Sequence, residues 1–239
     1  VYLDGAGFGD HTVVIAMGID TEGRKHILGL REGATENAPL VTDLVASLQD
    51  RGLVIAPRAL FVLDGAKALR KAVRKAFGAR AEIQRCTVHK LRNVLSYLPP
   101  QWHGEARRRL QAAWGMTSYD EARAALSSVL AWLQGLSEAA TASLAEGFEE
   151  TLAVHRLGVR GALRRTLQTT NPIESAIDIV RSHARRVKRW NGSSMVLRWM
   201  GSGLVRAEQQ FHRVKGHRAI PSLVAALEAQ ALTERKDLA

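Results

Sequence analysis

The chain has 239 residues, 46% of them hydrophobic and 24% charged, so it can bury a full core as one large domain or as a domain carrying an insertion. No apolar run approaches the ~20 residues a membrane helix needs; with no signal-peptide pattern and one cysteine, which excludes an internal disulfide, this predicts a reducing, cytoplasmic setting. The net charge of +11 is uneven: residues 1–150 hold 18 Lys/Arg against 17 Asp/Glu, whereas residues 151–239 hold 16 against 6, a clustering that favours a nucleic-acid partner over a merely solvated basic face.

The chain opens inside a strand, at Val1-Tyr2-Leu3-Asp4-Gly5, and a missing N-terminal portion is expected. With three residues before Asp4, this strand is expected to fray. His11 to Ile19 is β-branched and apolar, Asp20 to Gly23 supplies a turn, and Lys25 to Leu30 reads as the returning strand, giving an antiparallel meander. Asn37 caps a helix with Pro39 in its first turn and Leu40, Leu44, Val45 and Leu48 on one face, stopping at Gly52. Leu60-Phe61-Val62-Leu63 is a short apolar run between turn signals, which predicts a buried strand ending in Asp64-Gly65. A helix from Ala66 follows, with Leu69, Val73 and Phe77 on one face and Gly78 at its end. Glu82 to Arg85 forms a short strand leading into a helix that carries His89, Val94 and Leu95.

From Pro99-Pro100 to about Thr166 the strand signal disappears. Glu105–Trp114, Tyr119–Leu133 and Ser137–Glu150 are helix-patterned, and Trp102, Trp114 and Trp132 are expected to form the core of an all-α insertion. Asn171 then suits an N-cap and Pro172 the first helical position, with Glu174 at the third. The helix is predicted to run through Ile177, Val180 and Val187, carrying Arg181, Arg185, Arg186, Lys188 and Arg189. Residues 181–218 contain ten Lys/Arg and, as acid, only Glu208. Asn191-Gly192 breaks the pattern, Met195 to Phe211 makes another helix, and Ile220-Pro221 opens the last.

Three antiparallel strands, then helix, strand, helix, strand, helix, is the layout of a ribonuclease-H-like mixed sheet of the α/β class. The expected division is a first part of the core at 1–98, an all-α insertion at 99–166, and a second part at 167–239 with the Glu-bearing helix and basic C-terminal helices. Asp4 and Asp64 each end a buried strand, where open α/β sheets place their chemistry. Asp-Gly is also a common turn pair, and Glu174 can simply close a capping box. Taken together, the three acids suit Mg²⁺ (or Mn²⁺): two ions held by carboxylates can stabilise both the attacking and the leaving oxygen of an in-line phosphodiester displacement. The basic residues 181–189 would neutralise phosphates on either side. Trp190 and Trp199 can stack on an unpaired base, although packing roles are the better expectation. Cys86-Thr87-Val88-His89 has the spacing of half a zinc site, but no second cysteine completes a thiolate set. The structural reading is preferred: His89 hydrogen-bonding near the site, Cys86 a small buried group.

YLDG with GDHTVV, GIDTEGRKHILGLREGATEN, LFVLDGAKALRKAV, QRCTVHKLRNV and TTNPIES followed by VKRW together resemble the mutator-type bacterial insertion-sequence transposases, over nearly the whole chain. The resemblance implies a DDE transposase with a ribonuclease-H-like core interrupted by a helical insertion. It places the family's acids on Asp4, Asp64 and Glu174, and a Cys/Asp-x-x-His signature on Cys86 and His89. It implies DNA as partner, both transposon ends and target, with water and then a DNA 3′-hydroxyl as attacking groups, and a homo-oligomer when two ends are brought together. Members carry an N-terminal region expected to bind the element's ends, whereas this sequence begins at the first catalytic strand. Two rival readings are a nuclease of the same fold that only hydrolyses and a non-catalytic DNA-binding remnant.

Overall fold

Seven mostly buried residues, Tyr2–Phe8, form β1, and the β-branched run His11–Ile19 pairs with it antiparallel as β2 from Tyr2↔Met17 to Phe8↔His11. The computed structural model describes residues 1–35, 37–55 and 57–237. Lys25–Gly33 (β3) pairs antiparallel with β2, while Ala59–Leu63 (β4) and Ala81–Arg85 (β5) run parallel to β1 and to each other. The five strands lie in the order β3-β2-β1-β4-β5. The protein is thus a mixed α/β fold with a mixed sheet.

Each face of the sheet has its own core. Ala38–Asp50 (α1) and Lys67–Phe77 (α2) cover one face, where Leu3, Val14, Phe61, Leu63 and Ile83 meet Leu44, Leu48, Leu69 and Val73. Phe61 stacks on Phe77 with ring centroids 5.2 Å apart. Asn37 caps α1 as expected, its Oδ1 accepting from Leu40 N at 2.9 Å. The other face carries Tyr2, Ala6, Phe8, Val13, Ile15, Met17, Leu60 and Val62. Asn171–His183 (numbered α9 below), Ser193–Glu208 (α10) and Ile220–Asp237 (α11) cover it, through Ile173, Ile177, Val180, Val196, Met200, Leu204 and Leu223.

Between these halves lie Thr87–Ser96 (α3), Pro100–Gly115 (α4), Tyr119–Gln134 (α5), Glu138–Ala145 (α6), Ala153–Arg156 (α7) and Gly161–Leu167 (α8). Ser118 and Glu121 close a capping box at the start of α5. A separate core joins Leu91, Val94 and Leu95 of α3 to Leu110, Leu126, Val129 and Leu144 and ends at Leu152, whereas Val154, Leu157, Val159 and Leu163 pack under the sheet. Of the tryptophans expected to form this core, only Trp114 is buried, donating from Nε1 to Thr151 Oγ1 at 3.1 Å. Trp102 and Trp132 instead form a half-exposed edge-to-face pair at 6.1 Å, with Arg109 over Trp132. Trp132 still packs against this core from its rim, so the expectation holds for Trp114 and in part for Trp132.

Candidate active site

Strand alternation sorts the side chains before any helix packs. On β1, Tyr2, Ala6 and Phe8 face the α9 side, so Asp4 faces it too; on β4, Leu60 and Val62 do, which brings Asp64, just past the strand end, to the same side. The parallel register runs Tyr2↔Val62 and Leu3↔Leu63, and one further step puts Asp4 beside Asp64. Asp64 stands at a strand tip as expected, with Oδ1 accepting from Ala66 N at 2.8 Å and Gly65 turning at φ +113°. Asp4 does not. Its strand continues to Phe8, Asp4 is held opposite Ile15, and Gly5 pairs with Val14 instead of turning. The expected fraying is overturned for the same reason: seven residues of ladder hold the aspartate, which is 6% exposed.

Glu174 arrives on α9, and it does not close the capping box that its spacing in the sequence also allowed. Asn171 is the first helical residue, Thr170 takes the cap position, and Glu174 falls one residue further along than a capping box requires. Thr170 is wholly buried, and its hydroxyl donates to Glu174 Oε1 at 2.5 Å. Its N–H donates to Cys86 Sγ at 3.4 Å, and its oxygen lies 3.3 Å from both Cys86 Sγ and His89 Nδ1. One hydroxyl proton serves one acceptor, so with that proton on Glu174 the Thr170 oxygen accepts from His89 Nδ1–H. Thr87, at the start of α3, fastens the same segment through its N–H and hydroxyl to Gln168 O, at 2.9 and 3.2 Å. The Cys86–His89 pair thus seats the turn from which Glu174 projects.

The electrostatics follow from this crowding. Burial raises the Asp4 carboxyl to about 7, and the neighbouring charges of Asp64 and Glu174 add to the rise, against a smaller opposing pull from His89. Among the described residues no Lys or Arg pairs with Asp4, Asp64 or Glu174; the nearest cationic group is His89, with Nδ1 3.8 Å from Glu174 Oε1. Hydrogen bonding to Cys86 raises the imidazole; burial opposes this, and the charges of Cys86, Glu174 and Asp64 add to it. Burial would push the Cys86 thiol up, but hydrogen bonds from His89 and Thr170 outweigh it and hold the thiol below its usual range.

The three acids do not close to the span of a single ion. Among the described residues, Cys86, His89 and Glu174 are the group whose ligand atoms all lie within 4.8 Å of one another. Thr170 accounts for that proximity, since its hydroxyl oxygen touches all three. A two-ion site, with metals ~3.5–4 Å apart, needs no such closeness among all its carboxylates.

The basic residues are placed differently from the expectation. Arg181 sits in the last turn of α9, 3.3 Å from Asp178, but the helix ends at His183, so Arg185, Arg186, Lys188 and Arg189 lie on a turn and an irregular segment. The cause is tertiary: Trp190 packs edge-on against Phe8 at 6.0 Å, drawing the chain down to the end of β1. Trp199 packs against the same core and against His183 at 5.4 Å, so both tryptophans have packing roles. The four cations beyond the helix are exposed and have no acidic partner among the described residues. Thr170 was the residue missed by sequence reasoning; the signal was the Thr169-Thr170 pair immediately before Asn171-Pro172.

Known proteins are similar to this chain over most of its length. A family profile described as transposase, Mutator family, matches residues 4–214. The chain is 31% identical over 176 residues, 74% of its length and 53% of the relative's, to the transposase for insertion sequence element IS6120 of Mycolicibacterium smegmatis. It is 28% identical over 216 residues, 90% of its length and 72% of the relative's, to the transposase for IST2 of Acidithiobacillus ferrooxidans. It is also 28% identical over 193 residues, 80% of its length and 48% of the relative's, to the transposase for IS256 in Tn4001 of Staphylococcus aureus. Against the first and third of these relatives, the matched part spans about half of their length.

Proposed function

This chain belongs to the Mutator family of transposases, and on that premise we propose that it is the catalytic region of a DDE transposase built on a ribonuclease-H-like sheet. It breaks a phosphodiester bond at a transposon end and joins the freed 3′-hydroxyl to target DNA. One observation carries the reading: Asp4, Asp64 and Glu174 converge from a strand, a strand end and a helix, and no Lys or Arg among the described residues neutralises them.

The donor set fits a hard divalent cation. Three carboxylates, one of them raised to about 7 by burial and by the charges of the other two, are the chemistry Mg²⁺ or Mn²⁺ seeks. Asp4, Asp64 and Glu174 would hold two such ions, which when bound polarise the scissile phosphate and stabilise its attacking and leaving oxygens. The chain's own work is preparatory. Thr170 and His89 fix the Glu174 carboxylate, the Asp64 turn is pinned by Ala66 N, and Asp4 gives up its proton before it can ligate. Arg185, Arg186, Lys188 and Arg189 neutralise backbone phosphates without reading sequence. In the first step an oxygen of water forms a bond to phosphorus and the 3′ oxygen leaves with a proton. In the second the 3′-hydroxyl oxygen bonds to a target phosphorus and a target strand oxygen leaves. No residue becomes covalently attached to DNA, and two ends held together require at least a dimer.

A strand-transfer assay with a pre-cut 3′ end and Mg²⁺ or Mn²⁺ tests this. Joined product is expected from the wild type and none from Asp64→Asn. Hydrolysis without joining reduces the protein to a nuclease, and DNA binding without either leaves only a binding remnant.

A further inference from the structure

We propose that a groove beside α9, separate from residues 181–189, is a second seat for the DNA backbone that takes phosphates of the duplex flanking the scissile bond; this deepens the transposase reading and rests on it. The groove is lined by Lys25, Arg165, His212, Arg213 and Lys215, with no carboxylate in its lining. Arg165, His212 and Lys215 are exposed and have no ion pair or side-chain hydrogen bond among the described residues. Arg213 reaches only the exposed Glu22, at 3.5 Å, and Lys25 holds its ammonium 4.5 Å over the Phe211 ring, which fixes its position without neutralising it.

These basic side chains are gathered by the fold. They come from the start of β3, from α8 and from the segment after α10, and that segment is fastened on both sides. Val214 N donates to Gly23 O at 2.9 Å, and the Thr166 hydroxyl, shared with Ala162 O at 3.0 Å, lies 3.2 Å from Lys215 O. Gly216, at φ +80°, passes so close to α8 that an added Cβ would lie 2.2 Å from Leu163 N. Positive charges pinned together without counter-charge repel one another, and a polyanion relieves that repulsion while its own counterions are released.

The groove also has the right address. One wall is formed by Asn171 and Ser175, an i,i+4 pair on α9. At the neighbouring i,i+4 spacing stand Thr170, the cap of that helix, and Glu174. A strand lying against the first ridge therefore passes one helical ridge away from the acid cluster. A phosphodiester backbone, with a negative charge at every nucleotide, suits a row of cations and small polar side chains.

The test is fluorescence anisotropy of the full chain with a labelled duplex of random sequence, across a salt series. The double variant Arg165→Gln with Lys215→Gln is expected to lower the slope of log K against log[salt] by about 2, near 0.9 for each phosphate no longer neutralised, and to weaken binding about tenfold or more. Lys71→Gln with Lys75→Gln, on exposed positions of α2 across the sheet, removes the same net charge and is expected to leave the slope unchanged. Matching thermal melts establish that the variants are folded, and Lys215→Gln alone is expected to lower the slope by about 1. An unchanged slope in the groove variant overturns the proposal and leaves the groove to an acidic protein segment. An equal loss in the α2 control also overturns it, by reducing the effect to net charge. If the wild type shows no salt-dependent binding at all, the transposase reading itself fails, a result distinguishable from failure of the groove alone.

Discussion

Two charged clusters sit at the same end of the sheet, around the tips of β4 and β5, and they are built on opposite plans. At the first, Arg85 is 4% exposed and saturated: it donates to Gly65 O at 3.0 Å and Glu146 O at 2.9 Å, and pairs with the Glu146 carboxylate at 3.1 Å. Lys90, pushed down to about 8 by burial and by the Arg85 charge, donates to Ser143 O at 2.5 Å and Glu146 O at 2.6 Å, closing the C-terminal end of α6. Glu150 pairs with Arg70 at 2.5 Å, its other oxygen 3.8 Å from Arg85 Nε. At the second, Asp4, Asp64 and Glu174 face one another with an imidazole as their nearest cationic group. The first joins the end of α6 to the Asp64 turn. The second holds like charges together at a cost to stability, as sites kept for chemistry do.

The contrast makes the two clusters respond with opposite sign to losing one member. Arg85→Met leaves the Glu146 and Glu150 carboxylates and two carbonyls, Gly65 O and Glu146 O, facing an apolar side chain, and a loss of roughly 3–5 kcal/mol is expected in urea denaturation. A destabilisation below about 1 kcal/mol would show that the joint is not closed in solution. Its tightness is also steric: a Cβ on Gly147, at φ +70°, would meet Arg85 Nη1 at 2.6 Å.

Asp4→Asn is expected to stabilise the protein in EDTA. The folded state raises this carboxyl from 3.8 to about 7, so it retains a proton that the unfolded chain has released. Wild-type stability therefore falls as pH rises through that window, and the full penalty is present above 7. The gain from Asn is absent near pH 4 and greatest above pH 7, with a ceiling of about 4 kcal/mol from the size of that rise. Thermal melts at the two pH values check it. Added Mn²⁺ at 100 times its Kd raises the wild type by about 2.7 kcal/mol, and the variant by much less. A variant less stable than wild type at pH 8 without metal would mean the acids are not in mutual repulsion.

The same contrast explains what was legible in the sequence. The sheet could be read because its strands announce themselves locally, by β-branched runs and by Gly65 after Asp64. The closed joint was not read at all. Arg85 looks like a polar end to a short strand, and its acidic partners, Glu146 and Glu150, lie about sixty residues further along the chain. The end of α9 was misplaced because apolar spacing continues to Val187, while the real stop is set by Trp190 docking on Phe8. The groove was invisible for a similar reason: its cations, at 25, 165 and 212–215, form no run. Asp4, Asp64 and Glu174 were proposed from residue type and order, whereas what aims Glu174 was not legible, because a threonine before Asn-Pro reads as an ordinary cap.

Thr170 is where the open cluster borrows the logic of the closed one. It is buried, and its single hydroxyl connects Glu174 to His89 and Cys86. Thr170→Val keeps the shape and removes the connection: Glu174 loses its donor and His89 Nδ1–H its acceptor. Metal ligands that lose such a partner fall in affinity by about 10–100-fold, and that range is expected for Mn²⁺ titrated calorimetrically into the variant. Thr170→Ser, which retains the hydroxyl, is expected to restore most of it. A purely structural threonine predicts another pattern, a lowered melting temperature in the valine variant with Mn²⁺ affinity unmoved. That outcome would leave Glu174 aimed by the helix alone.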